Sequence, residues 1–178
     1  LAGLLLDERG NRMTPSQHNR GGKSYRYYSS QALIHGQTAK QGRMGRLPAH
    51  EVERHVIRRL TRLLTTGHEL LDQFTIPADD AATRQALLDG ATAWTDLGTR
   101  EPAQIRAFLL ATLRQISVHE QEVRIALSQS GLRAVLFRGG EIPHVALKPH
   151  SEREDQDDVI QLTVTATIRR CGGVTRLI

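Results

Sequence analysis

The chain has 178 residues, 39% of them hydrophobic, with a formal net charge of +5 and a single cysteine, Cys171. That length allows one medium domain or two small ones with a working core, and one cysteine excludes an internal disulfide and a cysteine-rich zinc site. Mean hydropathy is −0.39, no apolar run is long enough for a transmembrane helix, and residues 1–6 are too short, and lack the basic lead-in, for a signal peptide.

The charge is uneven. Residues 1–48 hold eight Lys/Arg and two Asp/Glu, a net of +6, whereas residues 63–178 hold twelve and fifteen, a net of −3. A basic front joined to a near-neutral remainder suggests a polyanion partner, nucleic acid first; the plainer reading is a basic surface with no partner. The chain opens at Leu1 without an initiator Met and stops at Ile178 inside a strand-like run, so it is expected to be a piece of a longer protein.

Taken in order, residues 1–48 read as a small β-rich module. Asp7 to Asn11 carries turn chemistry, because Gly10 and Asn11 tolerate positive φ. Residues 14–23 read as a polar hairpin tip, and Ser24 to Ser29, with its aromatics, as a strand. Gly36 to Gly45 reads as a second polar loop. Pro48 then starts a helix with Glu51 and Glu53 near its positive end. Val52, Val56, Leu60, Leu63 and Leu64 recur at three or four residues and predict one buried stripe. Gly67 is expected to interrupt that helix. Asp79 or Asp80 is expected to cap a second helix over roughly residues 80–98, with Gly90 marking a close helix contact. Pro102 opens a third, 102–115.

The tail changes period. Residues 116–127 read as two strands around a turn at Glu120 to Glu122. Residues 159–169 alternate apolar and polar as one strand, and Gly172-Gly173 turns the chain into a last one, 174–178. Residues 149–158 read as an acidic loop. The expected fold class is α+β with three segments: a β-ribbon over 1–48, a helical segment over 49–115 that extends as an antiparallel coiled-coil-like pair, and a β-rich segment over 116–178.

Three signatures line up in the front half: the run from Leu1 to Met13 (LAGLLLDERGNRM), Tyr25-Arg26-Tyr27-Tyr28, and Arg46 to Val56 (RLPAHEVERHV). Together they resemble the C-terminal region of the large serine recombinases, the site-specific DNA recombinases of phages and mobile elements. The similarity spans the chain in order, but only the first 56 residues carry specific motifs. The resemblance implies a zinc ribbon with two cysteine pairs, yet the first pair would fall around Asp7 to Gly10, the third cysteine near Ser30 and the fourth before Arg46. None is cysteine, so the expectation is a ribbon without zinc, held by its own turns and core. The resemblance also implies a catalytic domain with the nucleophilic serine upstream of Leu1, a bacterial or phage-encoded cytoplasmic protein, and contacts between recombinase protomers. The chain itself is then expected not to be an enzyme, and to need no cofactor.

The residues expected to meet double-stranded DNA are Arg12, His18, Arg20, Lys23, Tyr25, Arg26 and Tyr28 on the ribbon, and Lys40, Arg43 and Arg46 on the following loop. Cations and tyrosine hydroxyls suit phosphates, and Gly21-Gly22 lets the main chain approach a groove. The plainer reading is a solvated tip, with Tyr27 in the core and Tyr25 and Tyr28 on the other face. Arg54, Arg58, Arg59 and Arg62 read either as a DNA-facing helix side or, preferred here, as a solvated face pairing with Glu51 or Glu53. The eight histidines show no metal-ligand spacing, and no nucleophile elbow or phosphate loop is present. The reading is DNA recognition and assembly within a serine recombinase. The alternative is a protein-interaction scaffold that does not touch DNA.

Overall fold

The computed structural model describes residues 1–36, 45–139, 158–166, 168–171 and 174–177. Its elements, in order, are β1 (Leu5–Leu6), β2 (Met13–Arg20), β3 (Lys23–Ser30), α1 (Gln31–Ile34), β4 (Arg46–Pro48), α2 (Ala49–Thr65), α3 (Gly67–Leu71), α4 (Ala81–Thr92), α5 (Pro102–Thr112), β5 (Leu113–Val118), β6 (Glu122–Ser128), α6 (Gln129–Phe137), β7 (Val159–Thr165), β8 (Ile168–Cys171) and β9 (Val174–Leu177). The fold is α+β, with sheets ordered β1-β5-β6-β7, β2-β3-β4 and β8-β9. No helix among the described residues is long and apolar enough to cross a membrane.

Two compact units form, each from separated stretches: Leu1–Val56 with Gln115–Ile125 and Leu162–Ile178, and Ile57–Arg114 with Ala126–Gln161. They cut across the expected boundaries at 48 and 115. The reason is long-range pairing: β1 runs parallel to β5, Leu5 opposite Ile116.

In the first unit the ribbon is longer than expected. Residues 14–23 are not a loose tip. β2 and β3 pair without a break from Met13–Ser30 to Arg20–Lys23, closed by Gly21 and Gly22 at φ 57° and 74°. Positive φ at both central residues gives a turn whose twist matches the strands, which a side chain at either position would strain. Polar strands carry no hydrophobic alternation, so their pairing left no mark in the composition. β4 joins the other side of β3, Tyr28 opposite Leu47. α2 is divided between the units after Val56, and the stripe expected on it is real: Val52 and Val56 in the first, Leu60, Leu63 and Leu64 in the second, are all buried.

In the second unit α4 and α5 pack on α6. Asp80 caps α4, accepting from the Thr83 amide at 2.9 Å, and hydrogen bonds from the Thr83 side chain and amide lower its carboxyl pKa. α4 ends at Thr92 rather than 98, and α5 gives way to β5 at Leu113 rather than 115. Trp94 and Phe108 pack in the core as a tilted pair, with ring centroids 4.8 Å apart. Gly90 marks the expected close contact: a Cβ there would lie 1.9 Å from the Leu136 carbonyl oxygen. Among the described residues no long antiparallel helix pair forms. Gly67 and the prolines at 77 and 102 divide the segment into separate helices, α2 to α5. The segment expected to be β-rich also contains a helix, α6, and the strand expected over 159–169 ends at Thr165.

Candidate nucleic-acid interface

The register sorts the ribbon into two faces, because cross-strand partners share a side and successive residues alternate. One face carries Ser16 with Tyr27, His18 with Tyr25, and the position pair Arg20 and Lys23. Arg46, opposite Ser29 on β4, joins this face and lies over the Tyr27 ring at 5.5 Å. His18, Lys23, Tyr25 and Arg46 are exposed and Tyr27 is half-buried. No acidic residue lies anywhere between Met13 and Ser30.

The opposite face holds Met13 with Ser30, Pro15 with Tyr28, and Gln17 with Arg26. Tyr28 is 3% exposed, so it is core rather than a contact residue. The expected grouping of Tyr25 with Tyr28 is therefore wrong. Tyr25 and Tyr27, two apart, share the outer face, and Tyr28 points the other way. Its hydroxyl donates to Glu53 Oε1 at 2.8 Å, and Arg26 bridges Glu53 Oε2 at 3.1 Å. Burial, the Glu53 hydrogen bond and the Glu53 charge raise the Tyr28 phenol well above its usual range, against the Arg26 charge. Glu53 on α2 thus holds the inward face of the ribbon. Sequence reasoning missed this residue as a ribbon partner; its only signal was an acid near the start of α2, 27 residues from Arg26.

The base of the ribbon is organised by Asp7, 1% exposed. Its carboxylate accepts from the Arg9 amide at 3.0 Å, the Asn11 amide at 2.8 Å, the Asn11 side-chain amide at 2.9 and 3.1 Å, and the Ser30 hydroxyl at 2.8 Å. The Ser30 amide in turn donates to the Gly45 carbonyl at 2.9 Å. The turn at 7–11, the end of β3 and the approach to β4 therefore meet where the resemblance implies a metal. The residues do not fit zinc. One carboxylate, one hydroxyl and a glycine lack the thiolate and imidazole donors that a tetrahedral site needs, and no metal-ligand cluster occurs among the described residues. Hydrogen bonds to a carboxylate supply the cross-link instead.

Arg12 is exposed where the turn enters β2, while its carbonyl accepts from Gln31. Lys40 and Arg43 lie outside the described residues, and only the backbone position of Arg20 is described. A groove of about 410 Å³ opens beside the ribbon, lined by Tyr25, Arg26, Tyr27, Pro48 and His50 among others. Of the α2 arginines, Arg59 pairs with Glu69, while Arg54, Arg58 and Arg62 stay exposed. No family model, curated protein or solved structure matches the chain.

Proposed function

We propose that the chain is the DNA-binding and assembly region of a serine site-specific recombinase of phage or mobile-element type, with the chemistry carried by a catalytic domain outside it. The observation that carries this reading is the outer ribbon face: Lys23, Arg46 and His18 interleaved with Tyr25 and Tyr27, on a hairpin without a single acid. The resemblance of the front half to the recombinase ribbon supports the same reading. Cations on a rigid two-stranded ribbon neutralise phosphates and release counterions. Tyrosine hydroxyls donate to phosphate oxygens and fix register without reading sequence. Arg26 and Tyr28 serve differently, holding the ribbon to α2 through Glu53.

Fluorescence anisotropy with a generic labelled duplex at several salt concentrations tests the reading. The chain should bind more tightly as salt falls. Lys23→Ala should make the slope of log K against log salt shallower by about 0.9, while Arg26→Ala, which removes a tether, should leave the slope unchanged. Absence of salt-dependent binding by the intact chain refutes the proposal and leaves the interaction scaffold as the better reading.

A further inference from the structure

The pairing of β3 leaves part of one edge open. The Ser30 amide donates to the Gly45 carbonyl, away from β2. Peptide groups in an antiparallel strand turn to opposite edges at alternate residues, so Tyr28, Arg26 and Ser24 direct theirs to that same side. β4 fills it opposite Tyr27, Tyr28 and Ser29. At Ala49 the chain turns into α2, and among the described residues no strand lies beside Lys23 to Arg26 on that edge. Ser24 and Arg26 are exposed. The groove of about 410 Å³ opens on this stretch, lined by Ser24 to Tyr27 together with Pro48 and Glu51. All of these residues belong to the first unit. The outer edge of β2 is different. By the same alternation Pro15, opposite Tyr28, faces it and has no N–H to offer, which blunts an edge against further pairing. β3 carries no proline.

We propose that this edge of β3 takes an extended, acidic segment of a partner protein as an added strand in line with β4. An unpaired edge is a template for strand addition, in which main-chain hydrogen bonds hold the segment and side chains at alternate positions select it. The occupant is a peptide rather than a phosphate because the edge offers acceptors as well as donors. Ser24 turns its C=O the same way as its N–H, and a phosphate satisfies only the donor. The acidic character follows from charge. The ribbon holds His18, Arg20, Lys23 and Arg26 and no acid from Met13 to Ser30, and Glu51 in the groove is buried. A second copy of this chain, pairing edge to edge, would set the stretch from Lys23 to Arg26 against itself, and like charges across strands are destabilising. Tyr25, 44% exposed, gives the segment an apolar neighbour. The proposal concerns an edge of the ribbon, not its outer face, and does not rest on the DNA reading.

The test titrates the isotope-labelled intact chain with a short peptide alternating Glu and Val, and reads amide chemical shifts. Shifts centred on Ser24 and Arg26 are expected. Two control peptides separate the causes. One is N-methylated at alternate residues, which removes main-chain donors and keeps the charge; the other has Lys for Glu. Each should raise Kd about tenfold or more, the factor that losing a pair of ordinary hydrogen bonds brings. On the chain, Ser24→Pro removes an edge N–H that does not pair with β2, and should weaken binding likewise; a circular dichroism melt checks that the ribbon still folds. The methylated peptide needs no variant, so the proposal stays falsifiable if Ser24→Pro does not fold. Equal binding of the methylated peptide overturns the inference, leaving charge attraction alone, and equal binding of the Lys peptide overturns it by removing the acidic partner. Shifts at Ser24 and Arg26 that grow with the concentration of the chain itself overturn it in favour of a second copy. Shifts there with a DNA duplex and none with the peptide overturn it in favour of nucleic acid, and no shifts with either overturn it outright.

Discussion

Replacing Asp7 with alanine tests whether its carboxylate cross-links the base of the ribbon. The carboxylate receives hydrogen bonds from two backbone amides, the Asn11 side chain and the Ser30 hydroxyl, all between 2.8 and 3.1 Å. Hydrogen bonds to a charged group contribute about 1.5–3 kcal/mol each, and an orphaned buried group costs about 1–3 kcal/mol. These do not add in full. Arg9 is exposed and Asn11 half-buried, so water can recover their amides once the side chain is gone. Ser30 is 0% exposed, and its hydroxyl is left facing a cavity. The expected loss is about 3–5 kcal/mol, a third or more of the stability of an ordinary domain. Asp7→Asn should cost less than alanine, since it keeps one acceptor oxygen but turns an NH₂ toward groups that donate. Urea denaturation gives the stability, and amide hydrogen exchange at Asn11 and Ser30 shows whether the loss is local. EDTA should shift neither. A loss under about 1 kcal/mol with exchange protection unchanged would refute the reasoning, as would a melting point lowered by the chelator.

Two further predictions concern the second unit. Gly90→Ala gains about 1 kcal/mol of helix propensity, but the new Cβ would meet the Leu136 carbonyl oxygen at 1.9 Å and its carbon at 2.6 Å. Backbone cannot swing aside, so overpacking should win by about 1–3 kcal/mol, and a urea midpoint equal to or above wild type would sink the argument. Asp158 accepts from Ser130, Ser128 and Arg114 at 2.6 to 3.0 Å. Burial opposes ionisation there, but the Ser130 and Ser128 hydrogen bonds and the Arg114 charge outweigh it and lower the carboxyl pKa below 3.8. A depressed folded pKa means the stabilisation is complete above the unfolded value and fades as pH falls through the folded one. Asp158→Asn should therefore cost about 1–2 kcal/mol near neutrality and progressively less below about pH 4; a cost independent of pH refutes it.

The parts legible in the sequence were those signalled locally. Pro48, Asp80 and Pro102 announced helix starts, and the Val52-to-Leu64 stripe announced which side of α2 is buried. Gly90 announced a close approach. What escaped depended on distant partners. β1 is two residues long and exists through its pairing with β5, more than a hundred residues on. The strand character of residues 14–20 comes from cross-strand hydrogen bonds between polar residues, not from a hydrophobic period. The apolar positions running on past Thr92 through Trp94 and Leu97 do not show where α4 stops, and the apolar run through Leu113 suits a helix end and a buried strand equally. For the site, composition supplied the cations and tyrosines but not their sides, which only the register assigns.

The same sorting changes what the front charge means. The net of +6 over residues 1–48 counts Arg26 equally with Lys23, although the two stand three residues apart with different neighbours. Arg26 is 68% exposed yet already bridged to Glu53, so a phosphate reaching it must compete with a carboxylate that the buried Tyr28 hydroxyl holds in place. Lys23 and Arg46 lie on the face without acids, where a phosphate displaces only water and counterions. Counterion release scales with the phosphates a protein neutralises, not with its formal charge. Of the ribbon's cations, Arg26 is thus already engaged by a carboxylate, whereas Lys23 and Arg46 stand where the ribbon carries no acid. The register therefore divides the front charge between an inner face tied to Glu53 and an outer face without acids.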